Sequence, residues 1–158
     1  MPALRLADYL REDLVFWDLS PLDKPAFMTN FVSLVVARVP AVDEPALIDG
    51  LLAREAQQST GIGGGLALPH AIVPGLDQTV LVVGRIDEGL DFAALDSQPV
   101  DLVFLLLSPP GATTEHLRVL ARLARIIDAE ETLATLRSAN GPEELFRLLI
   151  ADDARHVY

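Results

Sequence analysis

Six successive residues, Leu102-Val103-Phe104-Leu105-Leu106-Leu107, are apolar without interruption, and Val80-Leu81-Val82-Val83 repeats the pattern on a shorter scale. A strand with one face in water alternates apolar and polar residues, so strands that are apolar throughout are covered on both faces. Their cover is a layer of helices on each side of the sheet, which makes the chain α/β. Its 158 residues suit a single domain over 1–158, long enough to bury roughly 70% of the surface its unfolded chain exposes. A composition that is 51% hydrophobic and 22% charged excludes disorder.

The remaining elements follow from periodicity and caps. Leu4, Leu6 and Leu10 suggest a short helix, and Val15-Phe16-Trp17 a strand after it. Ser20-Pro21-Leu22-Asp23 has the capping side chain, the proline and the acid of a helix start, with Phe27, Phe31, Leu34 and Val35 at helical spacing and a stop before Pro40. Asp43-Glu44-Pro45 opens a second helix that turns Leu47, Ile48, Leu51 and Leu52 inward. Leu66 to Leu68 and Thr79 to Ile86 read as strands separated by a Pro74-Gly75 turn. Beyond Pro109-Pro110-Gly111, Thr113 or Thr114 is expected to cap a helix with the stripe Leu117, Leu120, Leu123, Ala124 and Ile127. Glu131 to Ser138 forms another helical segment, and Pro142 begins a last one that buries Leu145, Leu148 and Leu149; from Asp152 onward the chain reads as a polar tail. No internal repeat or linker divides it.

Twelve basic and 23 acidic residues give a formal charge of −11. That balance argues against nucleic acid and anionic membranes, and favours either a basic protein partner or simple solubility. With no cysteine there is no disulfide, thiolate nucleophile or cysteine-based zinc site. The N-terminus lacks the apolar core of a signal peptide, and no apolar run approaches a membrane span, so the chain reads as cytoplasmic with no direct membrane insertion.

The chemistry concentrates between Arg54 and His70. Gly61, Gly63, Gly64 and Gly65 fall within five positions, Ser59 and Thr60 precede them, and Pro69 restricts the direction in which His70 leaves. Arg54, at helical spacing from Leu47 and Leu51, shares their face at the end of its helix, where function competes with pairing to an acid such as Glu55. Backbone amides, hydroxyls and a cation beside one nucleophilic nitrogen suit an incoming phosphoryl group, whereas the bland reading is a tight connection and a surface histidine. The loop is neither a Walker A loop nor a dinucleotide fingerprint, since no Gly-Lys-Ser/Thr follows and it leads into a strand. His116, in the first turn of its helix, lies at the edge of the inward face just past a central strand, where open α/β sheets bind ligands; a helix-start histidine bonded to local backbone is the alternative. His156 reads as solvated.

Three other chemistries stay open. A hydrolytic triad would use Ser59 or Ser108, although neither has a nucleophile-elbow context. A metal site could combine His70, His116 and Asp101, without any supporting spacing. A non-catalytic sensor domain could bind an anion or a protein through the same loop.

Arg54-Glu55, Ser59-Thr60-Gly61-Ile62-Gly63 and Gly65-Leu66-Ala67-Leu68-Pro69-His70 resemble the signature of the mannitol/fructose-type IIA domains of the bacterial phosphoenolpyruvate-dependent phosphotransferase system. The likeness continues through Phe92 to Leu106, through His116-Leu117, Leu120-Ala121 and Leu123-Ala124, and on to Glu143-Glu144-Leu145. It implies a mixed five-stranded sheet between helices, with His70 phosphorylated at Nε2 by the histidine phosphocarrier protein and discharged to a cysteine of a separate IIB domain. In the nitrogen-regulatory branch, to which Asp96-Ser97-Gln98-Pro99-Val100-Asp101 looks somewhat closer, the phosphoryl group is instead a mark read by a kinase or transporter. The resemblance makes His116 a second active-site histidine and Arg54 the nearby cation, with Ser59, Thr60, Gly61 and Gly63 around the phosphoryl group. No metal or cofactor is implied. Gly64 stands where many relatives have asparagine, and Ala71-Ile72 where many have glycine and a basic residue. The chain reads as a stand-alone IIA, with a homodimer left open.

Overall fold

The computed structural model describes residues 4–155, so His156 lies outside the described residues. A single turn of 3₁₀-helix (Leu6–Asp8) leads into β1 (Leu10–Leu19), followed by α1 (Lys24–Val36), α2 (Glu44–Gln57), β2 (Gly61–Gly63), β3 (Leu66–Ala67), β4 (His70–Ile72), β5 (Val80–Leu90), β6 (Val100–Ser108), α3 (Thr113–Ile127), α4 (Glu130–Arg137) and α5 (Pro142–Ala154).

The sheet is mixed and ordered β1-β5-β6-β3-β2, with β4 also on β6. β1 runs parallel to β5, β5 antiparallel to β6, and β3 and β4 both parallel to β6. Leu66 pairs with Leu102 and His70 with Leu106 at the same offset, so β3 and β4 are two halves of one strand interrupted at Leu68-Pro69. Counted this way, the sheet has the expected five positions. Pro69 cannot donate to the ladder, but its carbonyl still accepts from the Leu106 amide at 3.1 Å and holds the register across the break.

The continuous apolar runs divide by parity. Val82, Val103, Leu105 and Leu107 face Phe27, Phe31, Val35, Leu47 and Leu51 of α1 and α2. Leu81, Val83, Leu102, Phe104 and Leu106 face Val119, Leu123, Ile126, Leu136, Leu145 and Leu149 of α3, α4 and α5. Helices therefore cover both faces, as the apolar strands require.

Local details differ from the sequence reading. Asp23, not Ser20, caps α1 by accepting from the Ala26 amide, and Pro25 sits in its first turn. Asp43 caps α2 through the Ala46 amide as expected. Neither Thr113 nor Thr114 caps α3: both are helical and exposed, and Ala112 stands at the cap. The buried stripe of α3 is His116, Val119, Leu123, Ile126 and Ile127, while Leu117 is 59% exposed. That face is the one that packs Val119, Leu123, Ile126 and Ile127 into the core beneath the sheet. Nor is Asp152 the start of a polar tail. Asp152 and Asp153 lie buried in the last turn of α5, where Asp153 binds Arg122 of α3 at 2.7 Å and accepts from the Leu6 amide at 2.8 Å. Among the described residues, no helix is long and apolar enough to cross a membrane.

Candidate functional site: a pair of histidines beside a glycine hairpin

The glycine loop is a β-hairpin. Gly61 pairs with Ala67 and Gly63 with Leu66, and the turn carries three consecutive positive φ angles at Gly63, Gly64 and Gly65 (101°, 66° and 81°). Side chains rarely adopt that backbone, which is why glycine fills the turn. At Gly61 the constraint is space: a Cβ there would stand 2.8 Å from the Ala94 Cβ. The Gly64 amide donates to the Asp96 carboxylate at 2.9 Å, and Arg137 binds both the Gly64 carbonyl and Asp101, tying the turn to the rest of the molecule. Backbone donation from Gly64 and Gln98 holds the Asp96 pKa below the ordinary carboxylate value.

Ser59 and Thr60 build this hairpin from within. The Ser59 hydroxyl donates to the Phe92 carbonyl at 2.6 Å and accepts from the Gly61 amide at 3.0 Å. Both the amide and the hydroxyl of Thr60 donate to Glu55. Glu55 in turn pairs with Lys24 at 2.5 Å, not with Arg54. Arg54, half-buried in the last turn of α2, instead donates to the Gln58 carbonyl at 2.6 Å. Lys24 was not singled out from the sequence. Its position at the start of α1, far along the chain from Glu55, gave no local signal.

The hairpin delivers the chain to His70. Thr60 accepts from the Leu68 amide at 3.0 Å, and the Leu68 carbonyl lies 2.9 Å from His70 Nδ1. A carbonyl can only accept, so Nδ1 carries a hydrogen, and in the neutral ring the lone pair is on Nε2. β4 places His70 opposite Leu106 of β6, and β6 runs on to Ser108 and the start of α3. His116 is thereby brought against His70, with ring centroids 5.4 Å apart and planes at 59°. His116 is 5% exposed, and its pKa is lowered by burial and then by repulsion from His70 when that ring is also protonated.

Of the other candidates, Ser108 does touch a histidine, with Oγ 2.7 Å from His116 Nδ1, but it is wholly buried, so its hydroxyl serves the ring. Asp101 lies at the far end of β6 from Leu106, roughly 17 Å along the strand, and is bound by Arg137. It does not join the two histidines. Among the described residues, no three histidine or acidic side chains form a group able to hold a metal ion.

Comparison with known proteins places the sequence and the fold in a family. A nitrogen regulatory protein of Pseudomonas aeruginosa is 37% identical over 127 residues, covering 80% of this chain and 82% of that protein. The crystal structure of nitrogen regulatory protein IIA-Ntr from Neisseria meningitidis superposes with a TM-score of 0.83 at 30% identity, covering 91% of this chain and 98% of that one. A complex of enzyme IIA mannitol and phosphorylated enzyme IIB mannitol from Escherichia coli shares the fold, with a TM-score of 0.69 at 19% identity, covering 90% of this chain and 99% of its match. The family model described as phosphoenolpyruvate-dependent sugar phosphotransferase system, EIIA 2, matches residues 8–152. By sequence and by fold, then, the chain belongs to the EIIA 2 family of the phosphoenolpyruvate-dependent sugar phosphotransferase system.

Proposed function

We propose that the chain, acting as a single domain in the cytoplasm, carries a phosphoryl group on Nε2 of His70. The observation that supports this most is the 2.9 Å contact between His70 Nδ1 and the Leu68 carbonyl, which leaves Nε2 as the free nucleophile. In the proposed step the Nε2 lone pair attacks the phosphorus of a phosphohistidine on the histidine phosphocarrier protein. The donor's P–N bond breaks with its electron pair returning to the donor ring, and the positive charge gained by His70 is shared with Leu68 through Nδ1–H. His116 donates to the phosphoryl oxygens, and Arg54 supplies the nearby cation. Ser59, Thr60, Gly61 and Gly63 act by holding the hairpin, since the hydroxyls of Ser59 and Thr60 are already engaged. Transfer between two imidazoles asks mainly for positioning and charge stabilisation.

Exposed Ile72 and Leu117, each close in sequence to one histidine, suit a protein donor more than a small molecule. The phosphoryl group then passes to a IIB cysteine, as the IIA–IIB mannitol complex suggests, or remains as a regulatory mark. The greater identity to the nitrogen regulatory proteins favours the mark.

Incubation with phosphoenolpyruvate, enzyme I and the phosphocarrier protein should place one acid-labile, alkali-stable phosphate on each chain. His70→Ala should take none, and label retained in that variant would refute the assignment. His116→Ala should slow labelling by about 10²-fold without abolishing it.

A further inference from the structure

A buried line of hydroxyls leads away from the second histidine. Ser108 Oγ lies 2.7 Å from His116 Nδ1, Thr79 Oγ1 lies 3.2 Å from Ser108 Oγ, and Thr79 Oγ1 lies 2.8 Å from Glu115 Oε1. Tyr9 closes the line by donating to Glu115 Oε2 at 3.3 Å. Ser108 is 0% and Thr79 4% exposed, so bulk water does not compete at the two hydroxyls between His116 and Glu115.

Each hydroxyl has one hydrogen to place, and a carboxylate only accepts. Thr79 therefore donates to Glu115 and becomes the acceptor facing Ser108. If Ser108 donates to Thr79, the remaining contact is completed by His116 donating from Nδ1, and all three contacts hold one hydrogen each. If Ser108 instead donates to His116, one pair of oxygens is left face to face with no hydrogen between them, an unmade bond in a buried place.

We propose that Glu115, acting through Thr79 and Ser108, locks neutral His116 with its hydrogen on Nδ1 and its lone pair on Nε2, so that His116 becomes a donor only by taking up a proton at Nε2. That proton comes from solvent and adds to the Nε2 lone pair while no bond of the ring breaks. The positive charge it creates is relayed through the same hydroxyls toward the Glu115 carboxylate. Coupling to phosphorylation rests on the function proposed above, whereas the lock in the resting protein does not. In the resting site burial, and then His70 on β4 whenever its ring is protonated, oppose charge on His116, and the negative charge of an arriving phosphoryl group works against both. The other titratable and charged groups along the line are Glu115 itself, Tyr9 and Arg118, the last opposing Glu115 in its effect on Tyr9. Thr79, Ser108 and Glu115 are positioning residues, since they act on the phosphoryl group only through His116.

The test is the imidazole ¹⁵N spectrum of the full-length, ¹⁵N-labelled protein, with His116 assigned by its loss in His116→Gln. At neutral pH, wild type should show a protonated Nδ1 and a bare Nε2. Thr79→Val frees the Ser108 hydrogen to point at Nδ1 and should move the proton to Nε2, whereas Thr79→Ser should keep the wild-type tautomer. Ser108→Ala, a second route should Thr79→Val fail to fold, should also yield Nε2–H. Phosphorylated wild type should show His116 protonated at both nitrogens, and Thr79→Val should lose about tenfold in transfer rate, the difference between a charged and a neutral donor. A wild-type Nε2–H tautomer, or a Thr79→Val spectrum matching wild type, would overturn the lock. The predicted tautomers in a protein that takes no label would uphold the lock and overturn the proposed function.

Discussion

His116 shows what a single side chain owes to its surroundings. Helical spacing in the sequence put it at the edge of an inward face beside Leu120 and Leu123. Leu123 is buried with it, but one turn on it is Val119 that is fully buried, one position from Leu120. Its partners could not be read at all. Thr79 and Ser108 stand 29 positions apart, and Thr79 and Glu115 stand 36 apart, so only strand register brings them together. Burial followed by the charge of His70 lowers the His116 pKa below the ordinary imidazole value of 6.5. The unfolded chain therefore binds more protons than the folded one between that value and the lowered one, and stability rises with pH across the window. On acidification, stability should begin to fall as pH drops through 6.5 and stop falling, as far as His116 is concerned, once pH lies below the lowered pKa. Urea unfolding at a series of pH values checks this. His116→Gln, which cannot titrate, should flatten the curve in that window, and an unchanged slope would assign the acid sensitivity elsewhere.

Among the elements, the hairpin of β2 and β3 was legible only as a glycine loop leading into a strand; the pairing of Gly61–Gly63 with that strand, and its support, were not. Glycines crowded before Pro69-His70 announced positive φ, which occurs at the turn, while Gly61 owes its lack of a side chain to the neighbouring Ala94. What braces the hairpin is Glu55, which accepts from the Thr60 amide and hydroxyl while pairing with Lys24. From the sequence Glu55 looked like a companion for its neighbour Arg54. In a helix, however, adjacent residues point in different directions, and the nearer cation comes from the first turn of another helix. The Glu55 and Lys24 side chains are only 5% and 17% exposed, so removing the acid strands a largely buried ammonium. Glu55→Ala should therefore cost about 3 kcal/mol in urea denaturation, and amide exchange at Thr60 should accelerate more than exchange in β5. Uniform acceleration would mean that Glu55 supports the whole fold rather than the hairpin.

At the scale of the whole molecule, the apolar strands specified two helical layers, because a residue on either face of β5 or β6 needs a cover. They did not say how the two chain ends are fastened. Asp153 read as part of a solvated tail because its partner lies far along the chain. The partner is Arg122, on the inward side of α3, where an amphipathic pattern does not predict an arginine. Asp153 accepts from Arg122 and from the Leu6 amide, so a single carboxylate joins α5, α3 and the first turn of the chain. A buried pair of this kind is costly to break from one side and cheap to neutralise from both. Arg122→Met strands the Asp153 charge and should destabilise the protein by about 4 kcal/mol. Asp153→Asn keeps an acceptor for the Leu6 amide while removing the charge. Added to Arg122→Met, it should therefore restore part of the loss, although on its own it destabilises. Urea midpoints of the two single variants and the double variant measure the coupling directly. If the double variant lost the sum of the two single effects, Arg122 and Asp153 would act independently, and the ends would be held by apolar packing of Leu6, Leu145 and Leu149 instead.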